Sequence, residues 1–120
     1  MQQYEDISEE HKSLIGVKFK TNSDMLIYGI TLDENYNKVI DYYSIYEYPG
    51  INGPEVLSKD IIKSDTTFVI NHIKNCTNCL IDRTKILISF TASNKFNNKD
   101  IALSREASVN EILSNFERVE

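Results

Sequence analysis

The chain has 120 residues, 41% of them hydrophobic and 26% charged, with two cysteines and a formal net charge of −5. A chain of this size buries enough apolar surface to fold without a metal, a disulfide or a cofactor, and its acidity excludes general binding to nucleic-acid backbones. It has neither an apolar run long enough for a membrane span nor a signal peptide at its acidic N-terminus, so we expect a cytoplasmic protein that does not bind membranes.

The N-terminal segment, MQQYEDISEEHK, differs in character from the rest of the chain. Residues 1–12 are polar and acidic, and Ser8 can cap a helical turn, which predicts a short N-terminal helix or arm. No internal repeat or flexible linker follows in the sequence. We therefore expect residues 13–120 to form the αβ core of a single domain that spans residues 1–120.

Three strand patterns follow one another in the first half of the chain. In the first, Ile15, Val17 and Phe19 alternate with small or polar residues. The second, MLIYGITL (25–32), is apolar on both faces, which indicates a central strand. The third, KVIDYYSIYEY (38–48), is rich in aromatic and β-branched residues. The polar turns TNSD and DENYN connect them, so the pattern predicts a three-stranded antiparallel meander.

The second half of the chain predicts helices around one further strand. Two apolar pairs between Val56 and Ile62, followed by an apolar run at helical spacing that Asp65 can cap, predict a crossover helix or a helix pair. The run consists of Val69, Ile73, Cys76 and Leu80. KILISFT (85–91) predicts the fourth strand, and TASNKFNNKD predicts a polar loop. Ser108 and Glu111 match the capping box S-x-x-E, which predicts a C-terminal helix.

The order of these elements indicates an α/β or α+β fold in which the fourth strand lies beside the first. The stretch LIGVKFKTNSDMLIYGITLDENYNKVIDYY is similar to the first hairpin of the ribonuclease H-like superfamily, and the resemblance covers roughly residues 13–118. It implies a ribonuclease H-like fold. Nuclease members of that superfamily hold Mg²⁺ with several carboxylates, one of them in the first strand. Here Val17 and Lys18 follow Gly16, so we expect a degenerate domain without nuclease activity or metal.

Cys76 and Cys79, preceded by His72, have the only metal-like spacing in the sequence. A structural zinc site needs four ligands, and no second pair is present. A redox pair needs its first thiol at a helix N-terminus, whereas this pair lies near the end of the predicted helix. A buried cysteine on the apolar helix face is the favoured interpretation, and a metal site and a redox pair are the alternatives.

Catalytic groups are not recognisable in the sequence. His11 and His72 are the two histidines, and neither is accompanied by a nucleophile and an acid in a known arrangement. A phosphate loop and a nucleophile elbow are also missing from the sequence. Asp33 and Glu34 fall in the DENYN turn, which favours solvated surface. The residue types predict no cofactor and favour a protein that is not an enzyme.

Tyrosines cluster in the third strand, where alternation places Tyr42, Tyr46 and Tyr48 on one face and Tyr43 on the other. Four tyrosines in seven residues exceed the needs of a core, because each buried hydroxyl requires a partner. Tyrosine is favoured at protein–protein contacts. We therefore predict a small acidic binding protein, an inhibitor or immunity-type antagonist, that occludes a protein partner of basic character through Tyr43, Tyr46 and Tyr48. Packing of these rings under the helices is the alternative.

A second hypothesis concerns the polar loop after the fourth strand. Phe96 follows Lys95 and precedes Lys99 in this loop, and Arg105 lies a few residues further on. An aromatic ring can stack on a base while lysines bind phosphate. These four residues predict, as the alternative function, a nucleotide-binding or nucleic-acid-binding domain on a ribonuclease H-like fold.

Overall fold

β-strands are the main regular secondary structure of the protein, in a computed structural model that describes residues 2–32 and 38–119. The strands are β1 (Tyr4–Asp6), β2 (Lys18–Thr21), β3 (Met25–Ile30), β4 (Tyr42–Tyr46), β5 (Val56–Ile62), β6 (Thr67–Cys76), β7 (Thr84–Phe90), β8 (Asp100–Arg105) and β9 (Phe116–Arg118). The helical segments within those two ranges are a 3₁₀ turn (Ser8–His11) and α1 (Val109–Leu113). The predicted DENYN turn, with Asp33 and Glu34, lies outside the described residues.

One mixed sheet contains all nine strands, in the order β5-β3-β4-β8-β7-β6-β2-β9, with β1 beside β6. β4 and β8 run parallel, and the other neighbours run antiparallel. The predicted α/β or α+β fold is therefore wrong, because the residues assigned to the crossover helices form β5 and β6. The resemblance to the ribonuclease H-like superfamily is wrong for the same reason, since that fold requires several helices and α1 has five residues.

The largest error concerns β6, where a β-bulge imitates helical spacing. Phe68 and Ile70 are buried two positions apart, as in a regular strand. The register of β6 on β7 then shifts between Ile70 and His72, so the next buried residue is Ile73, three positions further on. One extra residue in a strand interrupts the period of two, and the remaining apolar positions resemble a helix face. Asp65, the predicted helix cap, lies in the turn before β6 with a φ of 64°.

The first segments of the chain also differ from the prediction. Within the predicted N-terminal helix or arm, Ser8–His11 form the 3₁₀ turn, whereas Tyr4–Asp6 form β1. β1 pairs with β6, with Asp6 opposite Lys74, and the backbone N–H of Ile7 donates to the carbonyl oxygen of Ile73 at 2.8 Å. β3 is a strand, as predicted, but β2 begins only at Lys18, so Ile15 and Val17 of the predicted first strand precede it. β2 and β3 are also not neighbours in the sheet. Of the predicted meander, only the antiparallel pairing of β3 with β4 is confirmed.

Two short connections show that the sheet curls onto itself. β2 and β3 are separated by four other strands, which in a flat sheet would place them about 24 Å apart. The three residues 22–24 that join them span at most about 14 Å. β5 and β6 are equally far apart in the strand order, and residues 63–66 join them. The two ends of the sheet must therefore meet.

The two connections pack against each other where the sheet closes. The backbone N–H of Ser64 donates to Asp24 at 2.8 Å, and the Thr21 hydroxyl donates to the carbonyl oxygen of Lys63 at 3.0 Å. Inside the curled sheet, aromatic rings from several strands meet, with Phe68 5.2 Å from Phe116 between ring centroids. The main core thus lies on the concave side of the sheet, and residues of β2 to β9 contribute to it.

The convex side of the sheet is covered over β3 but open over β7. Leu26, Tyr28 and Ile30 of β3 point outward and are buried in a second apolar cluster. The segment 47–55 covers them so closely that a side chain at Gly50, which has a φ of 79°, would collide with the Tyr28 hydroxyl. The prediction of β3 as a central strand, buried on both faces, is confirmed. The uncovered part leaves room for a site.

The C-terminal capping box is confirmed, although its helix is short. The Ser108 hydroxyl oxygen accepts from the backbone N–H of Glu111 at 3.2 Å. α1 ends at Leu113, and Phe116 starts β9. Neither helical segment found in residues 2–32 and 38–119 has the length and apolar character that crossing a membrane would require.

Candidate functional site

The three tyrosines predicted to bind a partner do not form one surface. Tyr43 points inward and packs edge-to-face on Phe96, with 5.0 Å between the ring centroids. Tyr46 points to the convex side and packs on Tyr28 at 5.7 Å. Tyr48 lies beyond the end of β4 and is 56% exposed. The predicted alternation of Tyr43 and Tyr46 is confirmed, and it separates these two rings.

The four residues of the second hypothesis do not form one site either. Lys95 forms an ion pair with Asp60 at 2.8 Å, and Phe96 packs into the core. Lys99 precedes the first residue of β8 and Arg105 is the last, which places their backbones about 20 Å apart. Arg105 donates to the carbonyl oxygen of Ile45 at 3.4 Å. The Lys95 amine lies 5.1 Å from the centroid of the Phe96 ring, and the backbone N–H of Lys99 donates to the carbonyl oxygen of Phe96 at 3.5 Å, but the structure does not bring Arg105 to this loop.

Cys76 and Cys79 form a disulfide at the end of β6. The interpretation of Cys76 as part of a helix face is wrong, although its side chain is buried. The disulfide joins the first and the fourth of residues 76–83, which run from the last residue of β6 to the start of β7 and are called the stapled loop below. The backbone N–H of Cys76 donates to the carbonyl oxygen of Arg83 at 2.9 Å, which closes the other side of the loop.

The N-terminal residues hold the stapled loop from the side. The backbone N–H of Thr77 donates to the carbonyl oxygen of Gln3 at 2.7 Å. The backbone N–H of Gln3 in turn donates to the Asn78 side chain at 2.7 Å. β1 continues this contact, with Tyr4 opposite Cys76. The first half of the loop is therefore fixed by a covalent bond and by hydrogen bonds in two directions.

The tip of the stapled loop exposes two large apolar side chains. Leu80 is fully exposed and Ile81 is 62% exposed. They border a shallow cavity beside the Arg83–Glu106 ion pair, whose atoms are 3.0 Å apart. The prediction that Leu80 shares a buried face with Ile73 is wrong, because Ile73 lies within β6 and Leu80 lies beyond its end.

A groove lies on the convex side of the sheet, below the stapled loop. It has a volume of about 570 Å³. We call it the outer groove, and the residues that define it are Tyr4, Tyr42, Lys74, Lys85, Leu87 and Asp100. Lys74 on β6 stands directly opposite Lys85 on β7. The Lys85 amine lies 4.3 Å from the centroid of the Tyr4 ring and 5.8 Å from that of Tyr42.

The electrostatics of the outer groove are unfavourable to its cations. Burial lowers the pKa of Lys85, and the neighbouring charge of Lys74 lowers it further, while Asp100 has the opposite effect. Within residues 2–32 and 38–119, neither lysine has a carboxylate close enough for an ion pair. Burial also raises the pKa of Tyr42, so its hydroxyl stays protonated at neutral pH. The groove therefore presents two cations and two rings.

His72 belongs to an exposed contact that joins β1 to β6. Its Nδ1 atom lies 3.1 Å from a carboxylate oxygen of Asp6. The pKa of Asp6 is lowered, first by hydrogen bonds from Ser8 and then by His72. In the part of the chain that the structure describes, three or more His, Cys, Asp or Glu side chains do not gather where they could hold a metal ion.

The outer groove and the loop tip contain residues that the sequence did not single out, among them Lys74, Lys85 and Ile81. A signal for the lysines existed. In an antiparallel hairpin whose innermost pair is Cys76 and Arg83, Lys74 falls opposite Lys85, but the interpretation of β6 as a helix hid this pairing. Comparison of the chain with protein-family models, with curated proteins and with solved structures finds no match.

Proposed function

We propose that the protein is a non-catalytic binding protein, an inhibitor or immunity-type antagonist that occludes a protein partner with the stapled loop. The observation that carries the proposal is the exposure of Leu80 and Ile81, which directly follow the Cys76–Cys79 disulfide in a loop whose ends are joined by a hydrogen bond from Cys76 to Arg83. Large apolar side chains at the tip of a fixed loop do not contribute to the fold. They are suited to insertion into an apolar pocket of another protein.

The attachment of the loop favours tight binding. A loop that is ordered before binding loses less conformational entropy on association than a free loop does. Here the disulfide, the Cys76–Arg83 hydrogen bond and the contacts of Gln3 supply that order. The net charge of −5 supports a partner of basic character, since long-range attraction accelerates encounter.

Other parts of the earlier hypotheses contribute less to this proposal. Tyr48 is the one member of the predicted tyrosine set that is largely exposed, so it is the natural competitor of the loop as the binding surface. A nucleotide site at Lys95 and Phe96 is not favoured, because Asp60 and the core already engage these side chains. A cytoplasmic location is retained as a proposal. Since disulfides are uncommon in reducing compartments, thiol trapping in the living cell tests it.

The test replaces the apolar residues of the loop tip by aspartate and compares this variant with the same substitution at other exposed positions. The variants are Leu80→Asp with Ile81→Asp, Tyr48→Asp, and Val39→Asp as the control, since Val39 is also an exposed apolar residue. Each is used for affinity capture from the native host. A candidate partner is a protein that the wild type and the Val39 variant enrich and the loop variant does not.

Binding of the purified candidate then decides the proposal. The loop variant removes two large apolar side chains, and we expect it to raise Kd by at least about 10-fold to 150-fold, the effect of losing burial of one of them. The Val39 variant should bind as the wild type does. If the Tyr48 variant loses binding and the loop variant keeps it, the tyrosine carries the contact and the loop proposal is wrong. Equal enrichment by all variants also contradicts it.

A further inference from the structure

We infer that the outer groove is a second binding site, separate from the loop tip, for a small carboxylate that carries an aromatic ring. In this arrangement the carboxylate lies between Lys74 and Lys85, and the ring packs against the tyrosines beside them. The inference goes beyond partner occlusion, since the groove has its own side chains and can be occupied with or without a protein on the loop.

The lysine pair identifies the charged part of the ligand. Like charges directly opposite each other on neighbouring strands destabilise a sheet. Lys74 and Lys85 nevertheless occupy such positions, and in the described ranges neither is within ion-pair distance of a carboxylate. A bound anion would remove the repulsion between them. Hydrogen bonds between ammonium groups and carboxylates are among the stronger ones in proteins.

The rest of the groove identifies the body of the ligand. The rings of Tyr4 and Tyr42 both lie near the Lys85 amine, at 4.3 Å and 5.8 Å. Leu87, which is buried, and Ala102 supply apolar surface between the strands. Aromatic rings pack favourably edge-to-face or offset on one another. A volume of about 570 Å³ falls in the range that small-molecule sites occupy.

Two carboxylates limit the charge that the site accepts. Asp100 and Asp41 also line the groove. Asp41 already accepts hydrogen bonds from the backbone N–H of Leu32 at 2.6 Å and from the Thr31 hydroxyl at 3.4 Å. Asp100 acts on the charge of Lys85 directly. With two lysines and two carboxylates among its lining residues, the groove has little excess positive charge, which favours a monoanion over a phosphate dianion.

The protonation of Lys85 supports the same conclusion. Burial and Lys74 lower the pKa of this amine in the empty groove, and Arg83 contributes in the same direction. A bound carboxylate favours the charged form of a neighbouring amine. Occupation of the groove must therefore raise the pKa of Lys85, which gives a readout that non-specific binding elsewhere would not produce.

Binding of phenylacetate to the whole protein, followed by NMR at neutral pH, tests the inference. Acetate lacks the ring and phenylacetamide lacks the charge, so each removes one half of the proposed recognition. We expect phenylacetate to bind with a Kd on the order of 1 mM or lower and to shift the amide signals of Tyr42, Lys85 and Leu87. Both comparison compounds should bind at least about tenfold more weakly, the loss expected for one charged hydrogen bond or one buried ring.

Two variants locate the site. Lys85→Met keeps the length of the side chain and removes its charge, and we expect it to weaken phenylacetate binding at least about tenfold. Lys59→Met changes an exposed lysine on β5 and should bind as the wild type does. In the wild type, phenylacetate should raise the pKa of the Lys85 amine, followed through its side-chain signals.

Several results would overturn the inference. These are equal affinity for phenylacetate and phenylacetamide, an unchanged affinity in the Lys85 variant, shifts confined to another surface, or no shifts at about 10 mM phenylacetate. Tighter binding of inorganic phosphate than of phenylacetate would contradict the assignment to a monoanion. The comparison of compounds uses the wild-type protein only, so it remains decisive if a variant folds poorly. Since Leu80 is not in the groove, its variants should bind phenylacetate normally, which distinguishes failure here from failure of the loop proposal.

Discussion

The stapled loop and the outer groove belong to the same hairpin, yet both depart from the usual rule that apolar side chains are buried and charged ones exposed. They do so in opposite ways. The loop between β6 and β7 exposes Leu80 and Ile81 to water. Two residue pairs below the base of that loop, the groove holds Lys74 and Lys85 opposite each other without a carboxylate partner among the described residues. One region exposes apolar surface, and the other removes charge from water.

The difference indicates what each region needs in order to become more stable. Exposed apolar surface is stabilised by an apolar pocket, which a protein partner can supply. Half-buried like charges are stabilised by an anion, which a small ligand can supply. Neither feature contributes to folding, because the main core lies on the concave side of the sheet. The same hairpin thus offers two binding surfaces of different chemistry.

The largest expected effect is a difference in the free energy of unfolding between a variant in β6 and a variant at the tip of the stapled loop. Ile73→Ala should lower the free energy of unfolding by about 2–5 kcal/mol, because Ile73 is 0% exposed and its truncation leaves a cavity. Leu80→Ala should change it by less than about 0.5 kcal/mol. Urea denaturation of both variants measures the contrast. Comparable losses in the two variants would show that Leu80 packs into the fold and would remove it as a free docking residue.

A smaller effect should follow reduction of the disulfide. A bridge that closes a four-residue loop contributes about 2 kcal/mol through the entropy of the unfolded chain, so reduced protein should be less stable by that amount. Hydrogen exchange at Gln3 and Thr77 should accelerate on reduction, whereas exchange at Leu87 should not. A Cys76→Ala, Cys79→Ala variant provides the control, because the reductant should leave it unchanged. Equal acceleration in the groove would mean that the two regions are not independent.

The smallest effect concerns the charge in the groove. The pKa of Lys85 is lower in the folded protein than its ordinary value of 10.5. The unfolded chain therefore binds more protons, so the contribution of Lys85 is least favourable at neutral pH and improves as the pH rises towards that value. Lys85→Met should stabilise the protein by less than about 1 kcal/mol, because the amine remains half in water.

The stabilisation expected for Lys85→Met should depend on pH, and this dependence distinguishes it from other causes. The stability difference between the Lys85 variant and the wild type should shrink between neutral pH and about pH 10. Burial raises the pKa of Tyr42 above its ordinary value of 10.0, so this hydroxyl does not titrate in the same interval. Denaturation at both pH values measures the difference. A variant that is less stable than the wild type at neutral pH would show that the Lys85 charge is already compensated.

Patterns confined to a few neighbouring residues predicted the local structure well. β3 lies within the predicted strand 25–32, and β7 agrees with the predicted strand 85–91 to one residue at each end. Ser108 caps α1 through Glu111, as the motif requires. Prediction failed where one residue changes the period of a strand. The bulge between Ile70 and His72 converted a strand into an apparent helix, and with it changed the whole fold class. The same error prevented prediction of the outer groove, because only a β6–β7 hairpin places Lys74 opposite Lys85.

By itself, the sequence determined the acidic charge, the strands β3 and β7, the alternation of Tyr43 and Tyr46, and the C-terminal cap. These properties depend on composition or on residues a few positions apart, where backbone geometry sets which side chains share a face. Only the tertiary structure decided that four other strands separate β2 from β3 in the order of one curled sheet, and that Leu80 is exposed while Lys85 is half-buried. Pairing between distant strands depends on the combined burial of the whole sheet, and no local pattern in this chain encodes it.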